Sequence, residues 1–85
     1  MTYKPPKPGY RLLNVLNDMG VNPYKLSKAT GLSQTHISEI IHKDRRITAK
    51  TALRLSKVIR VVPAESLLAW QSEWDLYLLR GSEDE

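Results

Sequence analysis

The segment from Asn22 to His42 leaves this chain the fewest choices, because it holds two short helix-forming stretches with little more than Gly31 and Leu32 between them. Asn22 followed by Pro23 is a side-chain cap with proline at the first helical position, so a helix opens there and runs to about Ala29. Gly31 breaks it, and Ser33 caps a further helix over about 34–42 whose inner face is Ile37, Ile40 and Ile41. Helices joined this tightly cannot lie antiparallel. They must cross steeply, as in a helix-turn-helix, and packing through Leu26, Ala29, Leu32, Ile37 and Ile41 is expected to fix the crossing.

The flanking sequence keeps the same helical period. Residues 1–9, with Pro5, Pro6, Pro8 and Gly9, read as an extended arm, and Leu12, Val15, Leu16 and Met19 form one face of a first helix over 10–19 that stops at Gly20. After the charged loop Lys43-Asp44-Arg45-Arg46, Thr48 caps a fourth helix to about Ile59 with Ala52, Leu53, Leu55 and Ile59 as its apolar stripe. Val61-Val62-Pro63 leads into a fifth helix to about Arg80, and 81–85 reads as an acidic disordered tail. Only Arg60-Val61-Val62 leans towards a strand. The expected fold is all-α, a five-helix orthogonal bundle in one domain over 10–80, which suits a chain of 85 residues. With no cysteine, neither disulfides nor thiolate metal sites are available.

At about 100° per residue, Gln34, Thr35, Ser38 and Glu39 point away from Ile37 and Ile41, and His42 follows one turn later. Glutamine can read adenine by two hydrogen bonds, threonine can meet a thymine methyl, and glutamate can accept from the cytosine amine. Gln34, Thr35, Ser38 and Glu39 are therefore the expected base readers, with His36 and His42 as neighbours. Lys25, Ser33, Lys43, Arg45, Arg46 and Lys50 surround that helix and are the expected phosphate contacts. The charge distribution agrees: residues 1–60 carry twelve Lys/Arg against three Asp/Glu, and residues 61–85 carry one against six.

The run Asn22-Pro23-Tyr24-Lys25-Leu26-Ser27-Lys28-Ala29-Thr30-Gly31-Leu32-Ser33, followed by His36-Ile37-Ser38-Glu39-Ile40-Ile41, resembles the Xre/Cro helix-turn-helix family, whose fold is lambda-repressor-like. Arg46-Ile47-Thr48-Ala49-Lys50-Thr51-Ala52-Leu53-Arg54-Leu55-Ser56-Lys57 and Gln71-Ser72-Glu73-Trp74-Asp75-Leu76-Tyr77 are similar to its HigA/VapI branch, and the likeness spans about 8–78. That resemblance implies an antitoxin: a homodimeric repressor that binds its own operator and neutralises a RelE-like, HigB-like messenger-RNA-cleaving toxin. A stand-alone repressor, for example phage-derived, would use the same DNA chemistry without a toxin. The chain departs from the family at Pro23, where glutamine is usual, and at Lys43 and Arg46, where glycines are usual. A left-handed backbone at either of the latter would cost about 1 kcal/mol. Ser66, Leu67 and Ala69 also stand where larger aromatic or amide residues are common.

The fifth helix is apolar on two stripes. Leu67, Trp70 and Trp74 are expected to face the chain's own core, and Leu76, Leu78 and Leu79 to form a symmetric dimer seam. A dimer would set two recognition helices about 34 Å apart on a palindromic operator of double-stranded DNA. The competing classes are an enzyme, in which His36 and Glu39 would share a metal but lack a third ligand at a suggestive spacing, and a protein-binding module built on Trp70 and Trp74. No cofactor, small-molecule substrate or membrane partner is expected, and a cytoplasmic location is the default.

Overall fold

A computed structural model describes residues 3–83. Five helices follow one another: α1 (Pro8–Met19), α2 (Pro23–Thr30), α3 (Gln34–His42), α4 (Ala49–Val58) and α5 (Ala64–Glu83). Among the described residues there is no strand, and no helix is long and apolar enough to cross a membrane. α1 packs on α3 and α5, α2 packs on α3 and α4, and α4 packs on α5.

Local chemistry sets most helix ends. The Asn22 Oδ1 accepts the Lys25 N–H at 2.8 Å, the Ser33 Oγ accepts the His36 N–H at 3.0 Å, and the Thr48 Oγ1 accepts the Thr51 N–H at 3.4 Å. α1 ends in a left-handed Gly20 (φ 69°), whose N–H donates to the Asn17 carbonyl while the Val21 N–H donates to that of Leu16. Val21 then packs against the core, which completes a Schellman ending.

Two ends differ from expectation. α1 begins at Pro8 rather than at residue 10, because proline is well suited to the first helical position and needs no N–H partner there. The arm is correspondingly shorter, and its residues 1–2 lie outside the described ones. α5 continues through Gly81 to Glu83 instead of fraying at 81. A glycine ending needs an apolar residue beyond it to fold back, and Ser82-Glu83 offers none. Residues 84–85 of the acidic tail lie outside the described residues.

The core joins Leu12, Leu16, Leu26, Leu32, Ile37, Ile40, Ile47, Ala52, Leu55, Ile59 and Leu67 into one cluster. Three residues expected inside are exposed: Met19, Ala29 and Leu53, the last at 57%. Thr51, Ala52, Leu55 and Ile59 already fill the covered side of α4, and Leu53 falls outside that arc. Gly9 is held against α3. A Cβ there would overlap the Ile40 carbonyl oxygen and stand 2.9 Å from the Ile41 Cα.

The loop between α3 and α4 is tied to α5 by a buried amide. Gln71, only 5% exposed, accepts the Ile47 N–H at 2.9 Å through Oε1 and donates through Nε2 to the Asp75 Oδ1 at 3.0 Å. Arg46 donates to the same carboxylate oxygen at 2.5 Å. Burial alone would raise the Asp75 carboxyl, but the hydrogen bonds from Arg46 and Gln71, with the Arg46 charge, outweigh it and hold the group below its usual 3.8.

Gly9→Ala should destabilise the fold by about 1–3 kcal/mol in urea unfolding, since the intruding methyl meets backbone rather than a movable side chain, and an unchanged midpoint would contradict the α1–α3 contact. Asp75 has a lowered folded pKa, so its contribution to stability is present above the usual carboxylate value and is lost as pH falls through the folded one. Asp75→Asn should therefore be less stable than the parent at neutral pH and should lose less on acidification. Parallel melting-against-pH curves for the two proteins would refute this.

Candidate nucleic-acid interface

α3 is held from behind by Ile37 and Ile40, both essentially inaccessible to water, so its opposite side must face outward. Gln34, Thr35, Ser38 and His42 are exposed there and Glu39 is half-buried. Together with Pro23, Ile41 and Lys43 they line an open cleft of about 360 Å³. Five of the six expected base readers are thus brought together. The sixth, His36, is not; it sits half-buried around the helix, in a separate hollow of about 280 Å³ beside Arg45, Arg46, Thr48, Lys50 and Arg54.

The electrostatics of the two sides differ. Burial, then the Arg45 charge, and also that of Arg54, hold the His36 imidazole below its usual 6.5 against the opposing pull of Glu39. Glu39 is also engaged, because its Oε1 accepts from the Arg45 Nη1 at 2.8 Å and its carbonyl accepts the N–H groups of Lys43 at 2.8 Å and Arg45 at 3.1 Å. One carboxylate oxygen is therefore already held by the chain's own loop.

Of the expected phosphate contacts, Lys43 lines the cleft and Arg45, Arg46 and Lys50 line the second hollow, and they are not equally free. Lys25, Lys43 and Lys50 are exposed and take part in none of the four ion pairs among the described residues. Arg45 is paired with Glu39, and Arg46 leans back onto Asp75 of α5. The Ser33 hydroxyl oxygen accepts the His36 N–H, which leaves its own proton available to an anion at the start of α3. The left-handed residue of the loop is neither Lys43 nor Arg46 but Asp44 (φ 55°), a residue type that tolerates this conformation; Lys43 has φ −125°. Asp44 also pairs with Lys7 at 3.1 Å, which joins the arm to the loop.

Arg54 is a functional candidate that the sequence did not single out. Its signal was present as the i+4 neighbour of Lys50 on a helix that starts directly after a basic loop. Leu76, Leu78 and Leu79 lie on the last turns of α5 and are 47%, 51% and 60% exposed. Among the described residues there is no group of three or more His, Cys, Asp or Glu that could hold a metal, so the His36 and Glu39 pair has no third ligand.

The solved structures that superpose on this chain carry the same fold. A Nostoc punctiforme protein described as an antidote of a plasmid maintenance system aligns with TM-score 0.86 at 28% identity, over 96% of this chain and 89% of its own. An addiction module antidote protein of a HigA family from Coxiella burnetii gives the same TM-score and identity, over 96% and 90%. A Pseudomonas aeruginosa protein in complex with its 18bp operator DNA aligns with TM-score 0.87 at 25% identity, over 98% and 87%. In sequence, the chain is 38% identical over 72 residues to virulence-associated protein A' of Dichelobacter nodosus and 41% identical over 61 residues to virulence-associated protein I of the same organism. It covers 85% and 72% of itself in these matches and spans 63% and 56% of the two relatives' length. A Cro/C1-type helix-turn-helix DNA-binding domain matches residues 11–71, most of the chain, and the chain belongs to that family.

Proposed function

We propose that this protein is a sequence-specific transcriptional repressor that acts as the antitoxin of a toxin–antitoxin pair. The observation that carries the DNA half is the outward polar face of α3, with Lys43 at the cleft, Arg45 and Lys50 at the neighbouring hollow, and Lys25 exposed on the preceding helix. Such a helix enters the major groove by its N-terminal end, where Gln34 and Thr35 stand, while these cations meet the phosphate backbone. Gln34 has the donor and acceptor pair that matches adenine, and Thr35 has a methyl for thymine. Glu39 contributes its remaining carboxylate oxygen as an acceptor and keeps Arg45 close to the groove edge.

Dimerisation through Leu76, Leu78 and Leu79 would cover the apolar side chains that a single chain leaves in water, and would present two α3 helices to a palindromic operator. The toxin half rests on the antidote proteins among the superposing structures. On this reading the partner is a RelE-like messenger-RNA-cleaving protein, as in HigBA-like pairs, and the repressor controls the operon that encodes both. Co-purification with the product of an adjacent small reading frame tests that half; a chain that represses its promoter with no such neighbour is the stand-alone repressor instead.

Selection of bound sequences from random duplexes should recover two half-sites about one helical turn apart. Gln34→Ala should keep the parent's thermal midpoint yet lose about 1–3 kcal/mol of discrimination at one base pair in each half-site. Unchanged preference in that variant would remove Gln34 from the reading set. Leu79→Glu should shift sedimentation from dimer to monomer and weaken operator binding about 100-fold, through loss of the second half-site. A variant that stayed dimeric would move the seam elsewhere.

A further inference from the structure

The hollow that receives His36 lies where α3, the following loop and the start of α4 meet. Its wall carries Arg45, Lys50 and Arg54 besides His36, and among the described residues that line it there is no carboxylate. Lys50 and Arg54 take part in none of the four ion pairs among the described residues. The Arg54 guanidinium reaches the turn of the helix-turn-helix: a Cβ placed on Gly31 would stand 3.9 Å from its Nη1. Thr48 caps α4 at the rim, so the positive end of that ten-residue helix opens onto the same space.

Arg45 and Arg46 are paired with Glu39 and Asp75, but Lys50 and Arg54 line the same hollow with no counter-ion there among the described residues, and like charges gathered in this way repel one another. An anion between them would relieve that repulsion. At about 280 Å³ the hollow falls just below the range of small-molecule pockets, and apart from Leu32 its lining side chains are cationic, hydroxyl-bearing or imidazole. A single tetrahedral oxyanion with bridging water suits it.

We propose that this hollow seats one phosphodiester of the operator strand passing the loop side of α3, with Arg54 as its inner contact and the His36 ring beside it. The seat rests on the DNA-binding reading and extends it to two residues that face away from the base-reading cleft. Arg54 binds the phosphate from behind the helix-turn-helix turn, Lys50 from the α4 side, and Arg45 from the edge where it also holds Glu39. Contact with Arg54 thus fixes the strand against the turn that positions α3.

Operator duplexes, each carrying one uncharged methylphosphonate linkage, would be titrated with the parent protein and with Arg54→Gln at two salt concentrations, alongside thermal melting. Arg54→Gln is expected to bind the unmodified operator about tenfold more weakly, with a salt slope shallower by about 0.9. In each half-site one methylphosphonate should weaken the parent but not Arg54→Gln. If the losses are additive at every linkage, the seat is refuted while the base-reading face stands, and a lower melting temperature with additive losses would assign Arg54 a structural role. Inorganic phosphate, compared with chloride at equal ionic strength, separates the other source of this chemistry. Stabilisation of the parent but not of Arg54→Gln, together with additive linkage losses, would make the hollow a free-anion site and overturn the operator assignment. Failure of the parent protein to bind any duplex would instead sink the DNA-binding reading, and this seat with it.

Discussion

The placement of α3 depends on a backbone contact in which Gly9 lets the start of α1 lie directly on the Ile40 and Ile41 main chain. Nothing larger than a hydrogen fits between the two helices there, so the position of α3 is set by main-chain atoms and not by adjustable side chains. Ile37 and Ile40 fill the remaining space beneath it. A recognition helix must hold its side chains to within a fraction of an ångström to discriminate base edges, and a rigid back is the condition for that. The exposed polar row from Gln34 to His42 follows from the buried isoleucine row behind it.

The charges on the loop after α3 are exchangeable. Arg45 on Glu39 and Arg46 on Asp75 are ion pairs in which at least one partner is well exposed, and pairs of this kind contribute little net stability in water. A phosphate arriving at the loop can take either guanidinium without a large opposing cost. The pairs hold flexible arginines near where a strand would pass, which lowers the side-chain entropy lost on binding. The loop backbone, in contrast, is not free to follow. Its Ile47 N–H is bonded to buried Gln71, and Asp44 already supplies the left-handed turn that the sequence comparison with the family led one to expect at Lys43 or Arg46.

Most helix ends and the outward polar row of α3 were legible from sequence because they rest on local chemistry: Asn22, Ser33 and Thr48 cap, Gly20 and Gly31 stop, and isoleucines at helical spacing define the inner side. Coverage of a given apolar residue was less so. Leu53 and Ala29 carry the right residue type, but which part of a helix is covered depends on where its neighbours end, and that is a tertiary fact. Gln71 reads as a surface glutamine until Ile47, a distant residue in sequence, brings an unpaired N–H to it. His36 shares a short helix with the expected base readers, yet one step of about 100° carries it from the cleft to the basic hollow. Such a step is small enough that a projection from sequence can put a residue on either side.

α5 connects these features, because the helix that carries Gln71 and Asp75 against the loop also carries Leu76, Leu78 and Leu79 on its next turns. In a dimer closed through those leucines, the loop of each subunit would be two hydrogen bonds away from the seam: Ile47 to Gln71, and Arg46 to Asp75. The distance between two α3 helices would then be governed by short polar contacts along one helix and not by a flexible linker. Half-site spacing on DNA tolerates little error, since a shift of one base pair rotates the groove by roughly a tenth of a turn. Burying Gln71 costs desolvation that an apolar residue would avoid, and the directionality of its two hydrogen bonds is what that cost secures. An apolar side chain at that position would fill the same space but leave the Ile47 N–H without a partner and the loop free to slide on α5.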